Sequence, residues 1–116
     1  MIRELAIAVV RVDDWEEAVR FYRDALGLEP AEIDGDGGWA RFRFPGSGAT
    51  LAVMRRQPGE PQGVFLNLLS DDLEKDAARF PVHEAPVAGH GYRTAWVEDP
   101  SGQRLQLFSW DNAQNA

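Results

Sequence analysis

The hydrophobic positions in the first half of the chain predict one amphipathic helix among short strands. In "DDWEEAVRFYRDALG" apolar residues recur at helical spacing, with Asp14 suited to cap the helix and Gly27 to end it. The preceding apolar run "LAIAVVRV" predicts a buried strand. The runs "LEPAEID", "GWARFRF" and "ATLAVM" follow, separated by the turn-forming stretches "GDGG" and "PGSG". The predicted order for residues 1–57 is therefore β-α-β-β-β.

The same order of elements returns after a polar linker at residues 55–63. The strand "VFLNLLS" precedes the helix "DDLEKDAARF", capped by Asp71 or Asp72, and the strands "PVHEAPV", "YRTAWVE" and "RLQLFSW" follow. The caps Asp14 and Asp72 lie half a chain length apart, which indicates an internal duplication. We predict one α+β domain over residues 1–116, with module 1 at about 1–57, module 2 at about 64–110 and a C-terminal tail at 111–116.

One helix on a small sheet cannot cover both faces of that sheet. We therefore expect the two tandem βαβββ modules to pair into one curved mixed sheet around a cavity, with the helices outside. Ligands favour concavities of this kind, so the cavity is the predicted binding site. Ala40, Phe42 and Phe44 are expected to pack under the first helix, which Phe21 and Tyr22 close onto the sheet.

Composition and charge narrow the classes of partner. The net charge is −7, which makes nucleic acid an unsuitable partner because phosphate contacts require a basic face. The absence of cysteine excludes disulfides and thiolate metal sites. No apolar run approaches the length of a membrane span, and the N-terminus does not resemble a secretory signal. We expect a cytoplasmic protein with no membrane partner.

Two stretches of the sequence carry a resemblance to a known family. "VDDWEEAVRFYRDALGLEP" at 12–30 and "VEDPSGQRLQLF" at 97–108 resemble recurrent motifs of the vicinal-oxygen-chelate superfamily, which includes glyoxalase I, bleomycin-resistance proteins and extradiol dioxygenases. The resemblance implies the duplicated fold, but the motifs specify a scaffold and not a reaction. Residues 99–102, "DPSG", have a type I turn signature that explains them structurally.

The resemblance also implies where a metal ion would be bound in metal-dependent relatives. The matching positions are Ile7, Ala52, Phe65 and Gln106. Three of these four side chains cannot donate an electron pair to a cation, and one neutral amide cannot replace a full ligand set. We therefore expect no metal and no other cofactor.

Strand alternation predicts which other side chains face the cavity. The predicted ligand-binding residues, which are mostly apolar or aromatic and include the polar anchors Asn67 and Gln106, are Ile7, Val9, Trp39, Arg41, Ala52, Met54, Phe65, Asn67, His90, Trp96, Gln106 and Phe108. Trp39 and Trp96 are alternatively core or interface residues, and Arg41 and Arg43 belong either to an anion contact or to a solvated strand face. His83 is expected on an exposed strand face and His90 in a loop at the cavity mouth.

Three functions remain open on the sequence alone. The favoured hypothesis is a metal-free protein that sequesters or carries an aromatic or amphipathic small molecule, as bleomycin-resistance proteins do. The alternative is an enzyme of the superfamily, a lyase, isomerase or dioxygenase, with a displaced metal site or metal-free acid–base chemistry. The third is a module that serves protein assembly. The resemblance also implies a homodimer, and the linker permits exchanged or unexchanged modules.

Overall fold

The computed structural model describes residues 1–111 and contains two βαβββ modules. The first module comprises β1 (Ile2–Val12), α1 (Trp15–Arg20), a π-helical turn (Phe21–Ala25), β2 (Glu29–Asp34), β3 (Trp39–Arg43) and β4 (Thr50–Arg55). The second comprises β5 (Gly63–Ser70), α2 (Leu73–Ala78), β6 (Val87–Ala88), β7 (Tyr92–Glu98) and β8 (Arg104–Trp110). The predicted α+β class and duplicated element order are confirmed. Of the predicted tail at 111–116, residues 112–116 lie outside the described residues.

The chain divides into two compact units. One unit is Ile7–Val64, and the other combines Met1–Ala6 with the described residues from Phe65 onward. No helix among residues 1–111 is both long enough and apolar enough to cross a membrane.

The unit Ile7–Val64 contains a mixed sheet with the strand order β2-β3-β4-β1. β1 runs parallel to β4, whereas the other neighbours are antiparallel. One face of this sheet packs against α1, where Trp15 and Val19 meet Ala40, Phe42 and Val53. The Trp15 indole donates a 3.2 Å hydrogen bond to the Val53 carbonyl, so its polar atom is satisfied inside the core.

The helix of this unit differs from the predicted regular helix in its second half. Asp14 caps it as predicted, by accepting a 3.1 Å hydrogen bond from the Glu17 backbone N–H. From Phe21 the helix widens into a π turn and ends before Gly27, which has a φ of +71°. The wider turn keeps Tyr22 against the core but leaves Phe21 51% exposed, so the prediction that Phe21 closes the helix onto the sheet is wrong.

Phe44 also departs from the predicted packing. β3 ends at Arg43, so Phe44 lies between the strand and the turn "PGSG", and the alternation that buries Ala40 and Phe42 ends with the strand. Phe44 is 37% exposed, whereas Phe42 is fully buried. The expectation that all three pack under the helix holds only for the two residues within the strand.

The other unit contains a mixed sheet with the strand order β5-β8-β7-β6. β5 runs parallel to β8, and β7 is antiparallel to both of its neighbours. Leu73 and Ala77 of α2 pack against Ala95, Val97 and Leu107 on one face of this sheet. The helix cap is Asp72, which accepts a hydrogen bond from the Lys75 N–H.

A buried carboxylate anchors the start of α2. Asp76 is 2% exposed and accepts a 2.6 Å hydrogen bond from Ser70, whose hydroxyl also accepts one from the Asp72 backbone N–H. The Met1 ammonium group lies 3.1 Å from the Asp76 carboxylate, and Arg79 lies 3.5 Å from it. Burial raises the pKa of Asp76, but the Ser70 hydrogen bond and the Met1 ammonium group outweigh burial and lower it below its usual range.

The sixth strand of the chain is shorter than predicted. The strand predicted at "PVHEAPV" is reduced to an isolated bridge between His83 and Val97 and to the short β6 at Val87–Ala88, because Pro81 and Pro86 cannot donate to a ladder.

The predicted turn at 99–102 is present. Asp99 accepts hydrogen bonds from Ser101 and from the Gln103 backbone, and these bonds lower the pKa of its carboxyl group.

Candidate functional site

In the unit Ile7–Val64, the predicted ligand residues share the sheet face opposite α1. Cross-strand pairing aligns Val9 with Ala52 and Ala52 with Arg41, and the next row aligns Met54 with Trp39. Ile7 follows the same alternation on β1, and Ile7, Val9 and Ala52 are all buried. This face is therefore aliphatic at its centre, and its polar groups stand on β3 and at Arg11 of β1.

The polar groups of β3 already have partners within the sheet. The Trp39 indole donates a 2.8 Å hydrogen bond to Glu32 of β2, and the Arg41 guanidinium lies 3.9 Å from the same carboxylate. Arg43 forms a 3.0 Å ion pair with Glu29. An anionic ligand at these arginines would have to compete with both glutamates.

Arg11 of β1 is a buried cation on the same face, and it is not among the predicted ligand-binding residues. Its side chain lies 3.5 Å from Glu60, in the loop after β4. Glu60 also accepts a 2.8 Å hydrogen bond from the Gln57 backbone, so the pair ties this loop to β1. The sequence signal was a charged residue at an inward-facing position of an apolar strand.

In the unit that contains Phe65, the face opposite α2 is mainly aromatic. Register pairs Asn67 with Gln106 and Gln106 with Trp96, and the next row pairs Leu69 with Phe108. Five aromatic side chains share this face by alternation: Phe65, Tyr92, Trp96, Phe108 and Trp110. Tyr92 and Trp110 were missed, although continuing the alternation from Trp96 and Phe108 to the strand ends would have found them.

The aromatic rings contact one another edge to face. Ring centroids lie 4.9 Å apart for Phe65 and Trp96, and 5.2 Å apart for Phe108 and Trp110. Tyr92 and Trp110 form a third pair at 6.3 Å. Phe65 and Phe108 are 6% and 7% exposed, whereas Trp110 is half-exposed. The aromatic side chains of this face are therefore buried at Phe65 and Phe108 and exposed at Trp110.

One polar pair interrupts this aromatic face. The Asn67 side-chain amide donates a 2.8 Å hydrogen bond to the Gln106 Oε1 atom, and both side chains are half-buried. Asn67 stands on β5 and Gln106 on the neighbouring parallel strand β8, so the strand register brings the two amides together. The two sequence-predicted polar anchors are therefore in direct contact.

A shallow concavity borders the aromatic face beside Trp96. Arg104 stacks over the Trp96 ring, 4.6 Å from its centroid, and forms a 2.6 Å ion pair with Glu84. The concavity is lined by Val82, His83, Glu84, Trp96, Val97, Glu98 and Arg104. The His83 Nδ1 atom lies 2.6 Å from the Phe80 carbonyl oxygen and must donate to it, so in the neutral ring Nε2 is the acceptor.

His90 lies apart from the strands that carry the other candidates. It is exposed in the loop 89–91 between β6 and β7. A 2.7 Å hydrogen bond from the Gly89 N–H to the Tyr92 carbonyl closes this loop. His90 therefore lies in the loop that leads into β7, not on the sheet face itself.

The donor set at the four implied metal positions does not fit a metal ion. Ile7, Ala52 and Phe65 offer no lone pair, and the Gln106 carbonyl oxygen already accepts from Asn67. Among residues 1–111, no three His, Cys, Asp or Glu side chains are grouped so that they could hold a metal ion.

Two βαβββ modules, each with one helix on a mixed four-stranded sheet, define the duplicated α+β fold that the sequence motifs implied. The model of the Glyoxalase/Bleomycin resistance protein/Dioxygenase superfamily matches residues 4–107. The chain belongs to this superfamily. No curated protein matches its sequence significantly.

Solved structures of low sequence identity share the fold. A glyoxalase/bleomycin resistance protein/dioxygenase superfamily member from Vibrio splendidus 12B01 is 14% identical with a TM-score of 0.70, over 95% of this chain and 99% of that chain. Methylmalonyl-CoA epimerase from Mycobacterium tuberculosis is 22% identical with a TM-score of 0.70, over 99% and 93%. A variant of the Streptomyces coelicolor methylmalonyl-CoA epimerase is 18% identical with a TM-score of 0.71, over 97% and 98%. These likenesses concern the fold alone.

Proposed function

We propose that this protein is a metal-free binding protein that sequesters or carries an aromatic or amphipathic small molecule. The observation that carries the proposal is the aromatic face of the second module, with five rings on the same face as the Asn67–Gln106 pair. Pockets for organic ligands have this makeup, with mostly apolar walls and a few fixed polar groups that orient the ligand. Aromatic side chains supply large contact areas for little loss of conformational entropy.

The metal-free part of the proposal rests on the donor set. A catalytic zinc site typically has about three protein ligands, and hard cations require several oxygens. Only Gln106 of the four implied positions carries a donor atom, and that atom is in a hydrogen bond. Elemental analysis of the purified protein should therefore find no stoichiometric Fe, Mn, Ni or Zn. One equivalent of any of them would contradict this part of the proposal.

Ligand binding is tested separately with a panel of planar compounds, using tryptophan fluorescence and calorimetry. Trp96 and Trp110 stand on the proposed face, so a bound planar compound should change the emission. Trp96→Leu should weaken binding, whereas Phe44→Leu, which alters an exposed aromatic residue on the other module, should not. If no compound class binds, the assembly role becomes the better hypothesis.

The enzyme alternative has one specific observation in its favour. His83, with Nε2 as its acceptor, lines the concavity beside Trp96 together with two carboxylates, Glu84 and Glu98. Such a group could move protons without a metal ion. Deuterium incorporation from D₂O into a panel of carbon acids, abolished in His83→Gln, would favour this alternative over simple binding.

Two further expectations stay predictions. Sedimentation analysis at several protein concentrations tests for the homodimer, and cell fractionation tests for the cytoplasmic location.

A further inference from the structure

Partial burial of the amide pair on the aromatic face has a free-energy cost. Asn67 and Gln106 are both half-buried, and their neighbours Phe65 and Phe108 are almost fully buried. Polar groups in such surroundings lose part of their hydration, which hydrogen bonds within the protein or to a ligand must replace. The single bond between them satisfies only part of their capacity.

The first module supplies an internal comparison. The positions that correspond to Asn67 and Gln106 are Val9 and Ala52, which are also paired across neighbouring parallel strands. Both of those side chains are buried and apolar. The same strand pairing therefore forms without any amide, and the scaffold does not explain the pair in the second module.

The unused hydrogen-bonding capacity defines what the pair can recognise. The Asn67–Gln106 bond uses one N–H of Asn67 and one lone pair of Gln106. Each primary amide still offers at least one N–H donor beside a carbonyl acceptor, both on one planar group. Asn and Gln side chains recognise adenine in this bidentate way, by bonding to a donor and an acceptor that are neighbours on the edge of the base.

We infer that the Asn67–Gln106 pair selects a planar ligand that carries an N–H next to a C=O, as in a lactam, an imide or a primary carboxamide. Trp96 stands beside Gln106 in the same row, and Phe108 lies in the next row of the same strand. The ring system of the ligand contacts these aromatic side chains, and its amide edge meets the amide pair. This inference rests on the proposed binding function and adds the ligand class to it.

The test compares two probes that differ in one donor. 2-Quinolone carries the lactam N–H, and 1-methyl-2-quinolone keeps the ring and the carbonyl but lacks that donor. Calorimetry should show that the wild-type protein binds 2-quinolone about fivefold or more tightly, which is the effect of one hydrogen bond whose buried partner would otherwise be unsatisfied.

Variants of the protein show which residues cause the preference for 2-quinolone over 1-methyl-2-quinolone. Gln106→Met and Asn67→Leu should each remove the preference for the lactam while 1-methyl-2-quinolone still binds. Gln103→Met is the matched control, because Gln103 lies in the turn before β8 and its side chain bonds to the Arg104 carbonyl. It should retain the full preference. Thermal unfolding of each variant shows whether the fold is intact.

The outcomes separate this inference from the proposed function. Equal affinity of the wild-type protein for the two probes overturns the inference and leaves the binding function standing. Binding of neither probe overturns the inference too, and the wider panel of planar compounds then decides the binding function independently. The wild-type comparison needs no variant, so poor folding of Gln106→Met cannot obscure the result.

Discussion

Replacing the amide pair by two apolar side chains should leave the protein about as stable as before, whereas replacing either amide alone should destabilise it. The double variant Asn67→Val/Gln106→Leu gives the second module an apolar cross-strand pair like Val9 and Ala52 of the first. Removing both amides together leaves no polar group without its partner. Removing one leaves the other half-buried and without its 2.8 Å hydrogen bond.

The expected magnitudes follow from the partial burial of the pair. An unsatisfied buried amide costs about 1–3 kcal/mol, and water reaching these half-buried groups favours the lower end, about 1–2 kcal/mol for each single variant. The double variant should lie within about 1 kcal/mol of the wild type. With the double variant near the wild type, the coupling energy of the double-mutant cycle should be about 2–4 kcal/mol in magnitude, which is the sum of the two single losses. For a domain of this size, 1 kcal/mol corresponds to about 4 °C in Tm.

Urea denaturation followed by fluorescence and circular dichroism measures these differences, and coincident transitions justify a two-state treatment. Thr94→Val is the control, since Thr94 stands on β7 within the same face but outside the pair. It should change stability by less than about 0.5 kcal/mol. A double variant less stable than both single variants would show that the scaffold requires the amides, and would refute their assignment to ligand recognition.

The remaining predictions concern the core and the turns. Because the pKa of Asp76 is lowered in the fold, its ionised form stabilises the protein above the ordinary carboxyl pKa, and this contribution is lost as the pH falls through the folded-state pKa. Wild type should therefore lose more stability than Asp76→Asn on acidification in urea titrations, and equal losses would contradict the assignment. Gly27→Ala should destabilise by about 1 kcal/mol because φ is +71°, whereas Gly46→Ala, with no positive φ, should be near neutral. Phe42→Ala should cost about 3–5 kcal/mol and Phe44→Ala under about 1 kcal/mol in thermal unfolding, and similar losses would refute the assigned packing.

Local patterns predicted most of the fold because they depend on neighbouring residues alone. β7 and β8 begin and end at the predicted residues, since a clear alternation meets a strong turn signature between them. The π turn after Arg20 was not predictable in this way, because an α-helix and a π turn present nearly the same sequence pattern. The short β6 shows that prolines limit a stretch of β-like composition to a two-residue ladder and an isolated bridge.

The candidate site was predicted as a set of positions but not as a set of contacts. Alternation placed Trp39, Arg41 and Gln106 on the correct faces, because side-chain direction has a fixed period of two. Their partners come from strand register, which links residues far apart in the chain. The Asn67–Gln106 bond joins residues 39 positions apart. Likewise, no local pattern indicated that Glu32 accepts from Trp39 or that Glu84 pairs with Arg104.

The position of Met1–Ala6 in the second compact unit affects the order in which the two units can fold during synthesis. Met1–Ala6 belong to the same compact unit as the residues from Phe65 onward, where Arg3 donates to Asp71 and the Asp71 N–H donates to the Met1 carbonyl. On the ribosome this stretch must remain without its partners until Asp71 has left the exit tunnel. The helix α1 and strands β2–β4 have emerged by then, so the unit Ile7–Val64 can fold first. A chain stalled within the linker would leave the start of β1 unpaired, so that its backbone groups could pair with another chain.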